Sequence, residues 1–122
     1  ANGWSVVYDT AVSILDRYEA ARFDREHEQE HRTALRRLTD CDLLILDDLG
    51  TELITAVSLS SLYTLINTRL MTGRHTVINS NLTMEEIRRR YTPQILSRLE
   101  GAYTTLFFFG QDIRLLKRKQ SG

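Results

Sequence analysis

Two adjacent carboxylates, Asp47 and Asp48, close the compact apolar run Leu43-Leu44-Ile45-Leu46, and Gly50 follows where the chain can turn. A run that short and that apolar, bounded by polar residues, reads as a strand buried on both faces, the parallel-sheet case. Ligands of open α/β sheets sit just beyond the carboxyl ends of the strands. Two acids there repel each other unless a cation joins them, which points to a metal ion or a metal-bound phosphate. The plainer reading is a solvated Asp-Asp turn. Other residues share the placement: Asn81 ends a second predicted strand, and Asp112 with Arg114 lie beyond the last one. Together they suit phosphoryl transfer, in which a carboxylate holds Mg²⁺ through its water shell. A second acid or an amide orients the attacking water, and a guanidinium neutralises charge on the phosphate. The sequence contains no G-x-S-x-G elbow, no zinc-spaced Cys/His cluster and no G-x-G-x-x-G dinucleotide loop, which argues against those chemistries.

The elements that must position these residues alternate in type. Ser5 to Tyr8 is β-prone, and helical spacing follows at Ala11, Ile14, Leu15 and Tyr18, with Thr10 or Asp9 as N-cap. A turn near Phe23-Asp24 leads to a charged helix whose thin apolar stripe is Ala34, Leu35 and Leu38. After the acidic pair, Leu59, Leu62, Tyr63, Ile66 and Leu70 mark an amphipathic helix closed by Gly73, with Arg69 and Arg74 favouring its dipole. His75 to Asn81 reads as a strand. Thr83 with Glu86 forms a capping box for a short helix, and Thr92-Pro93 opens another that carries Ile95, Leu96 and Leu99 inward. Leu106 to Phe109 reads as the last strand, broken by Gly110, and Lys117 to Gly122 as a basic tail. The order β-α(α)-β-α-β-α-α-β is that of an α/β protein with a parallel sheet flanked by helices, one domain over residues 1–116 with the tail at 117–122.

Sixteen basic residues balance sixteen acidic ones, so any nucleic-acid site has to be a local patch. Cys41 is the sole cysteine and heads a buried strand, which fits a core residue in a reducing, cytoplasmic location. No stretch is apolar enough to span a bilayer, so no membrane partner is expected. His27 and His31 have the i, i+4 spacing of a metal pair, but a third ligand is not close in sequence and a solvated helix face is the better reading. Arg88-Arg89-Arg90 likewise reads as a solvated face. Arg98 lies between core positions, so it either snorkels from the core edge or projects into a partner subunit's site.

These residues, in this order, resemble the DnaC/IstB-like ATPases of the AAA+ class, bacterial helicase loaders and transposition helpers of the P-loop NTPase type. Leu43 to Glu52 is similar to their Walker B segment, the most specific signal. Ser5 to Thr10 resembles their second strand, Asn79 to Thr83 the sensor-1 strand end, Leu96 to Gly101 the arginine-finger segment, and Gly110 to Arg114 the sensor-2 motif. The resemblance implies ATP and Mg²⁺ as cofactors: Asp47 holding the metal, Asp48 positioning the attacking water and Asn81 sensing the γ-phosphate. It also implies that Arg98 reaches a neighbour's ATP and that Arg114 contacts nucleotide in cis. The implied function is a helicase loader of DNA replication, with a DnaB-type helicase and single-stranded DNA as partners and self-association through ATPase interfaces. A transposition helper or a catalytically dead interaction module are the alternatives.

One departure qualifies this. The 122 residues contain no G-x-x-x-x-G-K-[ST] loop: the first glycine is Gly3 and the first lysine is Lys117. In the family, that loop and a central strand come before the segment matched here. The expectation is therefore the C-terminal part of an ATPase domain, without the first strand and phosphate loop and inactive by itself. Its Thr76–Asn79 and Leu106–Phe109 strands would then have bare edges that invite pairing within the chain or with a neighbour.

Overall fold

Thr10 ends one element and starts the next. Its Oγ1 accepts the Ser13 N–H at 3.1 Å, so strand β1 (Val6–Thr10) passes directly into helix α1 (Ala11–Phe23). The computed structural model of the chain describes residues 3–108 and 112–117. Beyond α1 it continues with α2 (Glu28–Asp40), β2 (Leu43–Leu49), α3 (Ala56–Met71) and β3 (His75–Ser80). Two helices follow, α4 (Met84–Arg90) and α5 (Pro93–Ala102), and then strands β4 (Tyr103–Phe108) and β5 (Asp112–Lys117). The five strands form one sheet in the order β1-β2-β3-β5-β4.

β1, β2 and β3 are parallel, with Thr10 opposite Asp47 and Leu46 opposite Ile78. The crossovers step in one direction from β1 to β2 to β3, and crossovers of one hand that do so lay their helices on one face. Burial follows that geometry. Leu44, Leu46 and Ile78 are fully buried against Ile14, Leu62, Leu65 and Ile66, whereas Leu43, Ile45 and Val77 on the other face are half-buried and Val6 and Tyr8 are exposed. The expectation of a strand buried on both faces is thus corrected: among the described residues β2 is buried on one.

The end of the chain departs further. The strand expected at 106–109 starts earlier, at Tyr103, and runs to Phe108, with Phe109 and Gly110 outside the described residues, and a further strand, β5, lies between β3 and β4, antiparallel to both. The edge expected to be bare on β3 is paired within the chain by β5, whereas β4 pairs with β5 on one side and ends the sheet. The β5 sequence, Asp112-Ile113-Arg114-Leu115-Leu116-Lys117, alternates only weakly, which hides a strand from a period-two reading. The tail beyond Lys117 lies outside the described residues.

Helix ends follow their sequence signals. Thr83 accepts the Glu86 N–H at 3.1 Å while Glu86 accepts the Thr83 N–H at 3.0 Å, completing the capping box. After α3, the Gly73 N–H bonds Leu70 O at 3.2 Å and the Arg74 N–H bonds Arg69 O at 2.9 Å, a Schellman closure that needs the φ of 71° at Gly73. Arg69 is not the dipole-facing surface residue that its position suggested. It is fully buried and holds the start of the sheet, donating to Leu38 O, Thr39 O, Thr76 Oγ1 and His75 O.

The His27–His31 pair is a corner brace. Both imidazoles meet Oδ2 of Asp24, each at 3.0 Å, where α1 turns into α2, and no metal-competent group of three ligands occurs among the described residues. The bonds from His31 and His27 lower the Asp24 carboxyl to about 2, and the Asp24 bond raises His27. Asp24 then contributes stability above its ordinary pKa that is lost as pH falls through about 2. His27 contributes below its ordinary pKa, and that part is lost as pH rises through its raised value. The brace is therefore strongest between the ordinary Asp and His pKa values, roughly pH 4 to 6.5. Asp24→Asn should flatten the pH dependence of the denaturation midpoint across that window. A wild-type pH profile in the variant would show that the brace contributes nothing.

Candidate active site at the carboxyl edge of the sheet

The acids are delivered by an irregularity in β2. Leu46 pairs with Ile78 and Leu49 with Ser80, so Asp47 and Asp48 together oppose Asn79, a β-bulge of two residues against one. Strict alternation after Leu44 and Leu46 would have pushed Asp48 into the core. The bulge gives that core place to Leu49, which is 1% exposed, and leaves Asp48 half-buried at a φ of 54°. A left-handed non-glycine residue costs of order 1–3 kcal/mol, less than the several kcal/mol of burying an unpaired carboxylate. The sequence expectation of acids at the strand's end holds, with the refinement that they sit inside the strand's last turn of pleat.

Asp47 faces the exposed side of the sheet. The Tyr8 phenol, diagonal to it on β1, donates to its Oδ2. That bond, then burial and the field of Asp47 and Asp48, raises the Tyr8 phenol above its ordinary value and keeps it a donor. Tyr8 was not foreseen as a site residue. Its one signal was a position two residues before the end of a strand parallel to β2.

The turn after the bulge is locked from two sides. The Thr51 hydroxyl donates to Asp48 O at 2.8 Å, and Gly50 has a φ of 109° with its Cα pressed against Leu82, so that an added Cβ would stand 2.4 Å from Leu82 Cδ1. From the β3 side, Ser80 Oγ donates to Leu49 O at 2.5 Å and accepts the Leu82 N–H at 3.1 Å. Asn81 lies between those two anchors and is exposed just beyond β3. From the helix side, the Glu52 carboxylate is buried, accepting the Gly50 N–H at 2.8 Å and the Tyr91 hydroxyl at 2.5 Å. Arg90 donates to Glu52 O and lies beside its carboxylate, which corrects part of the solvated-face reading of the arginine run. Arg88 and Arg89 do fit that reading, pairing at the surface with Glu100 and Glu85.

Asp47, Asp48 and Asn81 therefore share one edge. Register brings Arg114 there too, since it pairs with Asn79. Arg98 does not join them. Its Nε donates to Asn67 Oδ1 at 2.8 Å, and Asn67 lies in the last turns of α3, which runs from the carboxyl edge of β2 back to the start of β3. Lys117 is also remote, because β5 runs antiparallel to β3 and ends toward the edge where β3 begins. The edge thus offers carboxylates and an amide for a hydrated cation. A lysine-bearing cradle for the phosphates is not part of the 122 residues.

Residues 1–117 match the family model described as IstB-like ATP binding protein. No curated protein matches the chain significantly. Among solved structures the chain is similar to AMPPCP-bound DnaA from Aquifex aeolicus, with 20% identity and a TM-score of 0.60 over 81% of this chain. That match spans 30% of the DnaA chain. At this identity the likeness is one of fold, an α/β sheet flanked by helices of the AAA+ P-loop kind. No helix among the described residues is long and apolar enough to cross a membrane.

Proposed function

Because the chain belongs to the IstB-like ATP-binding protein family, we propose that the intact protein is an AAA+ ATPase that loads a hexameric DnaB-type helicase onto single-stranded DNA. The observation that carries the ATPase part is the bulge in β2, which turns Asp48 out of the core and leaves it with Asp47 opposite Asn79, at the sheet edge where β3 gives way to Asn81. Mg·ATP supplies the electrophilic γ-phosphate and the cation that spreads its charge. The donor set fits the metal half of that cofactor, since Mg²⁺ is commonly held by one or two carboxylates with waters and phosphate oxygens completing the shell. In this reading Asp47 would hold the cation, and Asp48 would help position or activate the attacking water. Asn81 would sense the γ-phosphate, and Arg114, paired in register with Asn79, would contact the nucleotide of the same chain. Arg98, directed away from this edge, serves a neighbouring protomer's nucleotide across a ring interface.

Calorimetry of the intact protein with Mg·ATP, followed by capture of a DnaB-type helicase on single-stranded DNA, tests both parts. Binding that requires Mg²⁺ and ATP-dependent capture are the expected results. Absent nucleotide binding would leave only an interaction module. A second reading is a transposition helper acting on duplex DNA, the alternative carried by the resemblance to IstB-like proteins, whose family model matches residues 1–117. Fluorescence anisotropy separates the two readings: preference for duplex over single-stranded DNA in the ATP state would select the second.

A further inference from the structure

The buried polar side chains among the described residues are Glu52, Arg69, Thr76 and Ser80. Arg69 and Thr76 bond to each other near the edge where β3 begins, far from the acids. Glu52 and Ser80 instead grip the carboxylate turn from opposite sides. A buried carboxylate carries a large desolvation penalty and is retained only where its bonds are made. Those of Glu52 join two separate parts of the chain. One oxygen takes the Gly50 N–H, two residues from Asp48, and the other takes the hydroxyl of Tyr91, at the junction between α4 and α5. Arg90 from the same junction closes on the Glu52 carbonyl. α5 carries Arg98.

Resting on the ATPase reading above, we infer that Glu52 and Tyr91 are positioning residues that hold Asp48 in its left-handed conformation and tie the carboxylate turn to the α4–α5 junction. Without the Tyr91 hydroxyl, Glu52 loses the donor that fixes its carboxylate, the Gly50 N–H loses a fixed acceptor, and the turn is free to relax toward regular φ.

The test uses Tyr91→Phe and Glu52→Gln in the intact protein, the second serving if the first does not fold. Misplacement of a positioned group costs about 10- to 100-fold in rate, so kcat should fall by that factor while KM and Mg·ATP affinity stay within about twofold. In an Asp48→Asn background Tyr91→Phe should lower kcat no further, because the group it positions is gone. A kcat within twofold of wild type would overturn the inference, whatever happens to the melting temperature. If the wild-type protein itself shows no turnover, the ATPase reading fails, and the clamp is judged by hydrogen exchange at the Gly50 amide. Faster exchange in the variant supports the clamp and unchanged protection overturns it.

Discussion

Asp48→Asn in the intact protein should lower Mg·ATP turnover by about 10²- to 10⁴-fold, the usual contribution of a positioned general base. The substitution keeps size and shape, so the bulge, the φ of 54° and the Thr51 bond to Asp48 O remain available. It removes one of two adjacent negative charges, and a fold held by the Leu44–Leu46–Leu49 packing should be as stable as before or slightly more so. Nucleotide affinity should change little, since the metal-holding role is the one proposed for Asp47. Asp47→Asn provides the contrast, with weakened Mg²⁺ dependence and loss of the Tyr8 bond to a charged acceptor. A steady-state assay over a Mg²⁺ series distinguishes the two. Undiminished turnover in Asp48→Asn would remove Asp48 from the site.

The second large effect concerns folding. Arg69→Met should destabilise the protein by about 3–5 kcal/mol, because it leaves several buried acceptors unpaired at about 1–3 kcal/mol each. Leu38 and Thr39 belong to the last turn of α2, whose carbonyls lack donors within the helix, and Arg69 Nη1 supplies them at 2.9 and 3.0 Å. Nη2 supplies His75 O at 2.6 Å and Nε the Thr76 hydroxyl at 2.9 Å. Methionine fills much of the volume but leaves these acceptors buried and unpaired. Against a total stability of about 5–15 kcal/mol, that loss should lower the melting temperature by roughly 10–20 °C. Arg69→Lys should fall between the two, since a single ammonium cannot reproduce a planar fork of donors. Urea denaturation provides the measurement, and a loss below about 1 kcal/mol for Arg69→Met would show that the network is dispensable.

Local signals determined much of this molecule without tertiary help. Thr10, Thr83, Pro93 and Gly73 marked helix ends because capping and positive φ are properties of a few consecutive residues. The apolar run ending in Asp47-Asp48, with Asn81 closing the next strand, placed the candidate chemistry at one sheet edge because parallel strands end together. What depended on distant partners was not legible. Arg69 looks like a surface dipole residue until the α2 carbonyls arrive. Glu52 looks like a loop acid until Tyr91 closes on it, and Arg90 is indistinguishable from Arg88 and Arg89 until helix α4 is seated. The one-sided burial of the sheet follows from the order and hand of the crossovers, which no window of residues encodes. The sequence by itself determined that two acids would stand at the end of a buried strand. Only the tertiary structure decided that a bulge would turn Asp48 out of the core, because the extra residue becomes visible only when Leu46 and Leu49 are paired against Ile78 and Ser80.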